Sequence, residues 1–164
     1  MLGLVSCSGS KKSDPVPTAT TSSATPAQMS QTPSGAAPDQ VTAILSEWKI
    51  KPEPASYPAA SVTFKVKNIG LTEHNMVILK TDLAPDALPA NADGSANEAG
   101  PGITMVGKTG TIAPDLSEVL TVNLEPGTYA LVCNLLQTTN GPNTLARPLA
   151  HYAQGMTVAF TVTP

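Results

Sequence analysis

The sequence predicts an all-β domain over residues 41–164, a Greek-key antiparallel β-sandwich of six to eight strands. Two observations carry that expectation. Short apolar stretches, several of them alternating, recur between clusters of Gly, Pro and Asn, the pattern of half-buried strands joined by turns. Beyond a turn or two in the segment 82–114, no stretch shows the apolar period of an amphipathic helix, which excludes an architecture of alternating strands and helices. A domain of about 120 residues encloses enough core to fold independently.

In chain order, residues 42–50 read as a first strand, although Ala43-Ile44-Leu45 suits a helix equally. Residues 61–68 alternate strictly, with Val62, Phe64 and Val66 on one face and Thr63, Lys65 and Lys67 on the other. Residues 75–80 form a more continuous apolar run, as a buried central strand requires. The segment 82–114 is rich in Ala, Pro, Asn, Asp and Gly, with one short strand expected near 103–106. Residues 118–124 alternate again, and Glu125-Pro126-Gly127-Thr128 reads as a tight turn into 129–133, which makes the pair a hairpin. Met156, Val158, Phe160 and Val162 share one face of a closing strand.

The N-terminal quarter is of another kind. Residues 8–40 are dominated by Ser, Thr, Pro, Ala, Gly and Gln and cannot bury enough apolar surface to offset their ordering entropy. They read as a disordered tether with a mean span of about 30 Å. Before them, Leu4-Val5-Ser6-Cys7 resembles the lipobox of bacterial lipoproteins, in which the Cys is lipidated, and residues 1–7 then read as the remnant of a signal segment. Only Met1 to Ser6 precede Cys7, without Lys or Arg, so this reading expects a start further upstream. With no apolar run of membrane-spanning length, attachment to a membrane would be through lipid at Cys7.

Net charge is −3, carried by the part from Val41 onward, which holds seven Lys and Arg against ten Asp and Glu. No basic cluster is present, which argues against nucleic acid as a partner. The chain has two histidines, His74 and His151, and one cysteine outside the extreme N-terminus, Cys133. Met156 follows His151 by five residues. Taken singly, a Cys or Met on an apolar strand is ordinary core and a loop His is ordinary surface. Taken together, a thiolate, two imidazoles and a thioether make the ligand set of a mononuclear copper centre, His₂Cys roughly trigonal with a distant axial Met.

The segment Tyr129-Ala130-Leu131-Val132-Cys133-Asn134-Leu135, followed by His151-Tyr152-Ala153-Gln154-Gly155-Met156, resembles the C-terminal signature of the cupredoxins. Within them it is similar to the sulfocyanin-like group, whose pattern runs Val-Cys-Asn-Leu-Pro-Gly-His-Tyr-x-x-Gly-Met. The likeness extends through Glu73-His74-Asn75-Met76-Val77-Ile78 and Pro126-Gly127-Thr128-Tyr129. It implies one copper per chain, held by His74, Cys133, His151 and Met156. It also implies that Asn75 braces the Cys133-Asn134 backbone. One departure stands out: seventeen residues, 134–150, separate Cys133 from His151, where the family has only a few. Lengthening the loop costs only about 1 kcal/mol of closure entropy, so the fold should tolerate it. In the family the second His usually lies nearest the surface. His151 is therefore the expected electron port, and residues 136–150 a lid or docking surface over its exposed edge.

The implied function is one-electron transport outside the cytoplasm, by a monomer serving redox partner proteins. A copper carrier that delivers metal without cycling electrons and a metal-free surface sandwich remain open beside it. An enzyme is not expected, because multicopper oxidases and copper nitrite reductases need further histidines and a binuclear copper site needs a second bridging Cys.

Overall fold

Alternation in the sequence becomes burial in the fold. On β4 (Ala60–Asn68), Val62, Phe64 and Val66 are fully buried while Lys65 and Lys67 face solvent. The computed structural model describes Gly3, residues 40–140 and residues 143–164. The lipobox-like Cys7 and nearly all of the 8–40 tether lie outside the described residues.

The other strands are β1 (Val41–Ser46), β2 (Lys49–Glu53), β3 (Ser56–Pro58), β5 (Val77–Lys80), β6 (Thr104–Lys108), β7 (Ser117–Leu124), β8 (Gly127–Val132), β9 (Leu136–Asn140), β10 (Asn143–Ala150) and β11 (Thr157–Thr163). One sheet runs β2-β1-β4-β7 and a second β3-β11-β8-β5-β6, with β9 and β10 as a separate ladder. The β-sandwich is as expected, with more strands than six to eight. Two pairings are parallel, β1 with β4 and β3 with β11. The first arises because the chain crosses to the second sheet at β3 and returns at β4, so β4 runs in the direction of β1.

Two local expectations change. The single strand expected over 42–50 is two, broken at Glu47-Trp48, and β1 and β2 pair antiparallel from Ser46↔Lys49 onward. The buried positions switch from 41, 43 and 45 to 50 and 52 across that turn. The expected hairpin at Pro126-Gly127 is instead an arch between sheets: β7 pairs with β4, while β8 pairs with β11 and β5. Both strands turn apolar side chains to one core from opposite sides, so they cannot be neighbours in one sheet. Tyr129 fastens the arch by donating its hydroxyl hydrogen to Glu125 O at 2.8 Å.

The main core lies between the sheets, with Phe64 and Phe160 in edge contact across it, ring centroids 5.4 Å apart. A pair of this kind adds about 1 kcal/mol beyond the area it buries. β5, the continuous apolar run, is buried on both faces. Ile78 joins the main core, while Val77 and Leu79 meet Leu88, Ala96, Ala130, Val132 and Tyr152 on the outer side of the second sheet. The 82–114 segment therefore covers that sheet, passing through a short 3-10 turn at Pro85–Ala87.

Candidate metal centre

Each chemically distinctive side chain stands at a strand end. His74 precedes β5 and is held by a two-way backbone bridge to Ile112, His74 N donating at 3.1 Å and Ile112 N at 2.7 Å. Cys133 follows the last residue of β8, His151 the last residue of β10, and Met156 precedes β11. Three short links then gather the loops. Cys133 N donates to Met156 O at 3.0 Å, His151 N to Leu135 O at 3.0 Å, and Met156 N to His151 O at 3.1 Å. The last needs a reversal that Gly155 provides at φ 87°, a conformation a side chain would strain.

The donor atoms converge. Cys133 Sγ lies 3.3 Å from His151 Nδ1 and 3.9 Å from His74 Nδ1, and the two Nδ1 atoms are 3.1 Å apart. Three ligands bonded to one ion at about 2.0–2.3 Å stand some 3–4 Å from one another, so the spacing suits a shared metal. Among the described residues, these three form the one group of His, Cys, Asp or Glu side chains close enough to share an ion. The donor set is two nitrogens and a sulfur without carboxylate, which fits copper and disfavours hard cations such as magnesium and calcium. Met156 is fully buried in the same core cluster as Cys133, with its backbone bonded to both Cys133 and His151.

Burial governs the acid–base state of the cluster. It pushes the Cys133 thiol up, against the opposing backbone N–H groups of Asn75 and Leu135. It pushes His74 down, with Glu47 pulling the other way. His151 falls to about 4 through burial and the neighbouring His74. Both imidazoles are thus neutral near pH 7 and keep a lone pair for a metal, whereas the thiol must surrender its proton on binding.

Around the donors, Asn75 ties two strand ends together. Its N–H points at Cys133 Sγ at 3.3 Å, and its Oδ1 accepts from Asn134 N at 2.9 Å. The Asn134 side chain turns away and bonds Ala96 and Glu98. The seventeen-residue stretch after Cys133 does not hold His151 away. β9 and β10 pair antiparallel down to Leu136↔Ala150, so the excess length leaves as a hairpin and the chain returns beside Leu135.

Two residues that the sequence reading missed border the site, both from the β1–β2 turn. Glu47 Oε1 stands 3.5 Å from His74 Nε2 and accepts from Leu71 N at 2.6 Å, Thr72 N at 2.9 Å and Thr72 Oγ1 at 3.1 Å. Trp48 meets both imidazoles edge-on. His151 is only 1% exposed, so the exposed edge expected of an electron port is absent. Its ring abuts Trp48 instead and borders a groove lined by Leu71, Thr72, Pro114, Leu135 and Gln137. The phase switch at 47–48 was the one sequence signal for that turn.

No family model matches the chain, and no curated protein matches it. Solved structures do. Dithionite-reduced auracyanin from the photosynthetic bacterium Roseiflexus castenholzii is 25% identical, over 79% of this chain and 100% of that one, with a TM-score of 0.53. Auracyanin A, a "blue" copper protein from the green thermophilic photosynthetic bacterium Chloroflexus aurantiacus, is 18% identical over 74% and 99%, with a TM-score of 0.48. Reduced rusticyanin is 19% identical over 78% and 82%, with a TM-score of 0.43. The chain thus has a cupredoxin-like β-sandwich fold, with His74, Cys133 and His151 gathered where a metal could be shared.

Proposed function

We propose that the chain is a mononuclear type 1 copper protein that carries single electrons outside the cytoplasm. The observation that carries this reading is the convergence of Cys133 Sγ, His74 Nδ1 and His151 Nδ1 within 4.8 Å of one another in a fully buried setting. Copper held there would cycle between its +1 and +2 states and supply the one-electron chemistry. Cys133 would hold the copper as a thiolate, His74 and His151 through their imidazoles, and Met156 through its thioether. Asn75 keeps the Cys133 loop in register through Asn134 N and presents its own N–H to the sulfur. Backbone bonds beside strand ends hold all four residues, which would keep rearrangement between oxidation states small.

Partners are redox proteins and the carrier is a monomer. Attachment to a membrane is through lipid at Cys7. No helix among the described residues is long and apolar enough to cross a membrane. The absence of further histidines supports a carrier rather than an enzyme.

Titration of the metal-free protein with Cu(II) tests the reading. The expected result is one copper per chain with an intense visible thiolate-to-copper band that disappears on one-electron reduction and returns on oxidation. A colourless adduct, or a band that survives Cys133→Ser, would refute it. Ready loss of Cu(I) to an acceptor, without reversible reduction, would make the protein a copper carrier instead.

A further inference from the structure

The residues directly after two of the proposed ligands grip the same loop. Asn134, after Cys133, accepts from Ala96 N at 2.8 Å through Oδ1 and donates to Ala96 O at 2.9 Å through Nδ2. Tyr152, after His151, accepts from Leu88 N at 3.0 Å, and its hydroxyl donates to Leu88 O at 3.3 Å. Each side chain thus takes both backbone groups of a single residue, which leaves that residue little freedom to slide or rotate.

The gripped residues belong to one self-bonded unit. Asn97 N donates to Pro89 O at 2.7 Å and Asn91 N to Ser95 O at 2.8 Å, and Ala90 and Ala96 form an isolated bridge. Leu88 and Ala96 are 5% and 1% exposed, so water does not compete for these bonds. The loop also comes close to the residues that flank His151. A Cβ added at Gly94 would lie 3.2 Å from Ala153 Cβ and 3.5 Å from Ala150 Cβ. Gly94 takes φ +85°, so glycine serves both the turn and the close approach.

We propose that the 88–97 loop is a bracket that sets the separation of Cys133 and His151, with Asn134 and Tyr152 as the positioning residues through which it acts. A closed path of bonded groups runs from Cys133 through Asn134 to Ala96, across the Ala90–Ala96 bridge to Leu88, and through Tyr152 to His151. In a cupredoxin with a short Cys-to-His loop, the loop itself can fix that distance. Here seventeen residues intervene, and the bracket adds a second constraint to that of the β9–β10 ladder. The inference deepens the copper reading and rests on it for the identity of the ion.

Tyr152→Phe, Asn134→Ala and the double variant test it, with folding checked by near-UV circular dichroism. Tyr152→Phe removes only the hydroxyl and keeps the ring in its apolar seat. In the metal-free double variant, the Asn134 and His151 amides should exchange with solvent at least about tenfold faster, as expected when local opening becomes easier. In the loaded protein, copper affinity should fall by about 10–100-fold. The visible band should shift relative to wild type, with Tyr152→Phe alone giving the smaller change. Unchanged exchange at both amides, or unchanged affinity and spectrum in a folded double variant, would overturn the bracket. If wild-type protein takes up no copper, the copper reading fails on its own. The exchange comparison, made without metal, then still decides whether the loop constrains the two strand ends.

Discussion

Trp48 stands edge-on to His151, ring centroids 4.8 Å apart and planes at 68°, and its ring also lies 6.3 Å from that of His74. Through this contact, a turn near the start of the domain reaches the pole where its last strands begin.

Trp48 is the chain's single tryptophan, so its emission reports on the site without interference from another indole. Cu(II) loading should quench it strongly, in proportion to copper up to one equivalent, and removal of the metal by a chelator should restore it. Fluorescence during the titration checks this. Trp48→Ala should cost roughly 2 kcal/mol in a denaturant melt, less than a fully buried Trp because the side chain is only partly buried.

Cys133→Ser should leave the fold standing while removing the visible band. The thiol is fully buried, beside the two imidazoles and the Asn75 N–H and at the margin of the main core. A hydroxyl of smaller volume there should cost about 1–2 kcal/mol. Thermal melts of the metal-free variant and spectra after copper addition measure the two effects separately.

Glu47 joins the β1–β2 turn to the segment that presents His74, through Leu71 N, Thr72 N and the Thr72 hydroxyl. Its carboxylate also faces His74 Nε2. Glu47→Gln replaces that charge by a neutral amide and should destabilise the protein by about 1–3 kcal/mol. A negative charge beside a ligand imidazole favours the more positive state of a bound metal. Its loss should therefore raise the reduction potential, and cyclic voltammetry of the variant against wild type gives the sign.

Acid should destabilise the metal-free protein in two successive windows. His151 is held at about 4 against an ordinary 6.5, first by burial and then by His74. The unfolded chain therefore takes up that proton first, and stability falls as pH drops from about 6.5 towards 4. For Glu47, burial alone would raise the value, but the N–H groups of Glu47, Thr72 and Leu71 and the Thr72 hydroxyl bring it to about 2, from 4.5. Its contribution is present above about 4.5 and is lost as pH falls towards 2. Denaturant midpoints across pH 3–7 check the sum, and His151→Gln should lessen the upper part of the fall, leaving the share of His74, which burial also holds down.

Replacing residues 138–148 by Asn-Gly should preserve copper binding. Gln137↔Leu149 and Leu136↔Ala150 would remain paired beneath the new two-residue turn, and His151 N would still reach Leu135 O. Copper stoichiometry and the visible spectrum should match wild type within a small shift.

Much of this could be read from the sequence because it is written in local pattern or in scarce residue types. β4 shows its two faces residue by residue, and β5 shows its double burial as an unbroken apolar run. The donor cluster was legible because the chain holds only two histidines and one core cysteine. The arch at Pro126-Gly127 was not, since a tight turn looks the same whether its strands pair or part to opposite sheets. Glu47 and Trp48 were hidden for a different reason. Their partners His74 and His151 are brought to them only by the assembled sandwich, and no local pattern encodes that meeting.

The β9–β10 ladder separates two quantities usually treated as one, the number of residues between ligands and the path between them. Once Leu136 and Ala150 are paired, the number of residues beyond them no longer sets the path from Cys133 to His151. A signature written in residue counts passes over such a chain, whereas one written in ladder partners finds it. The hairpin is accordingly the place where this architecture can acquire a new surface while its pole stays as it is.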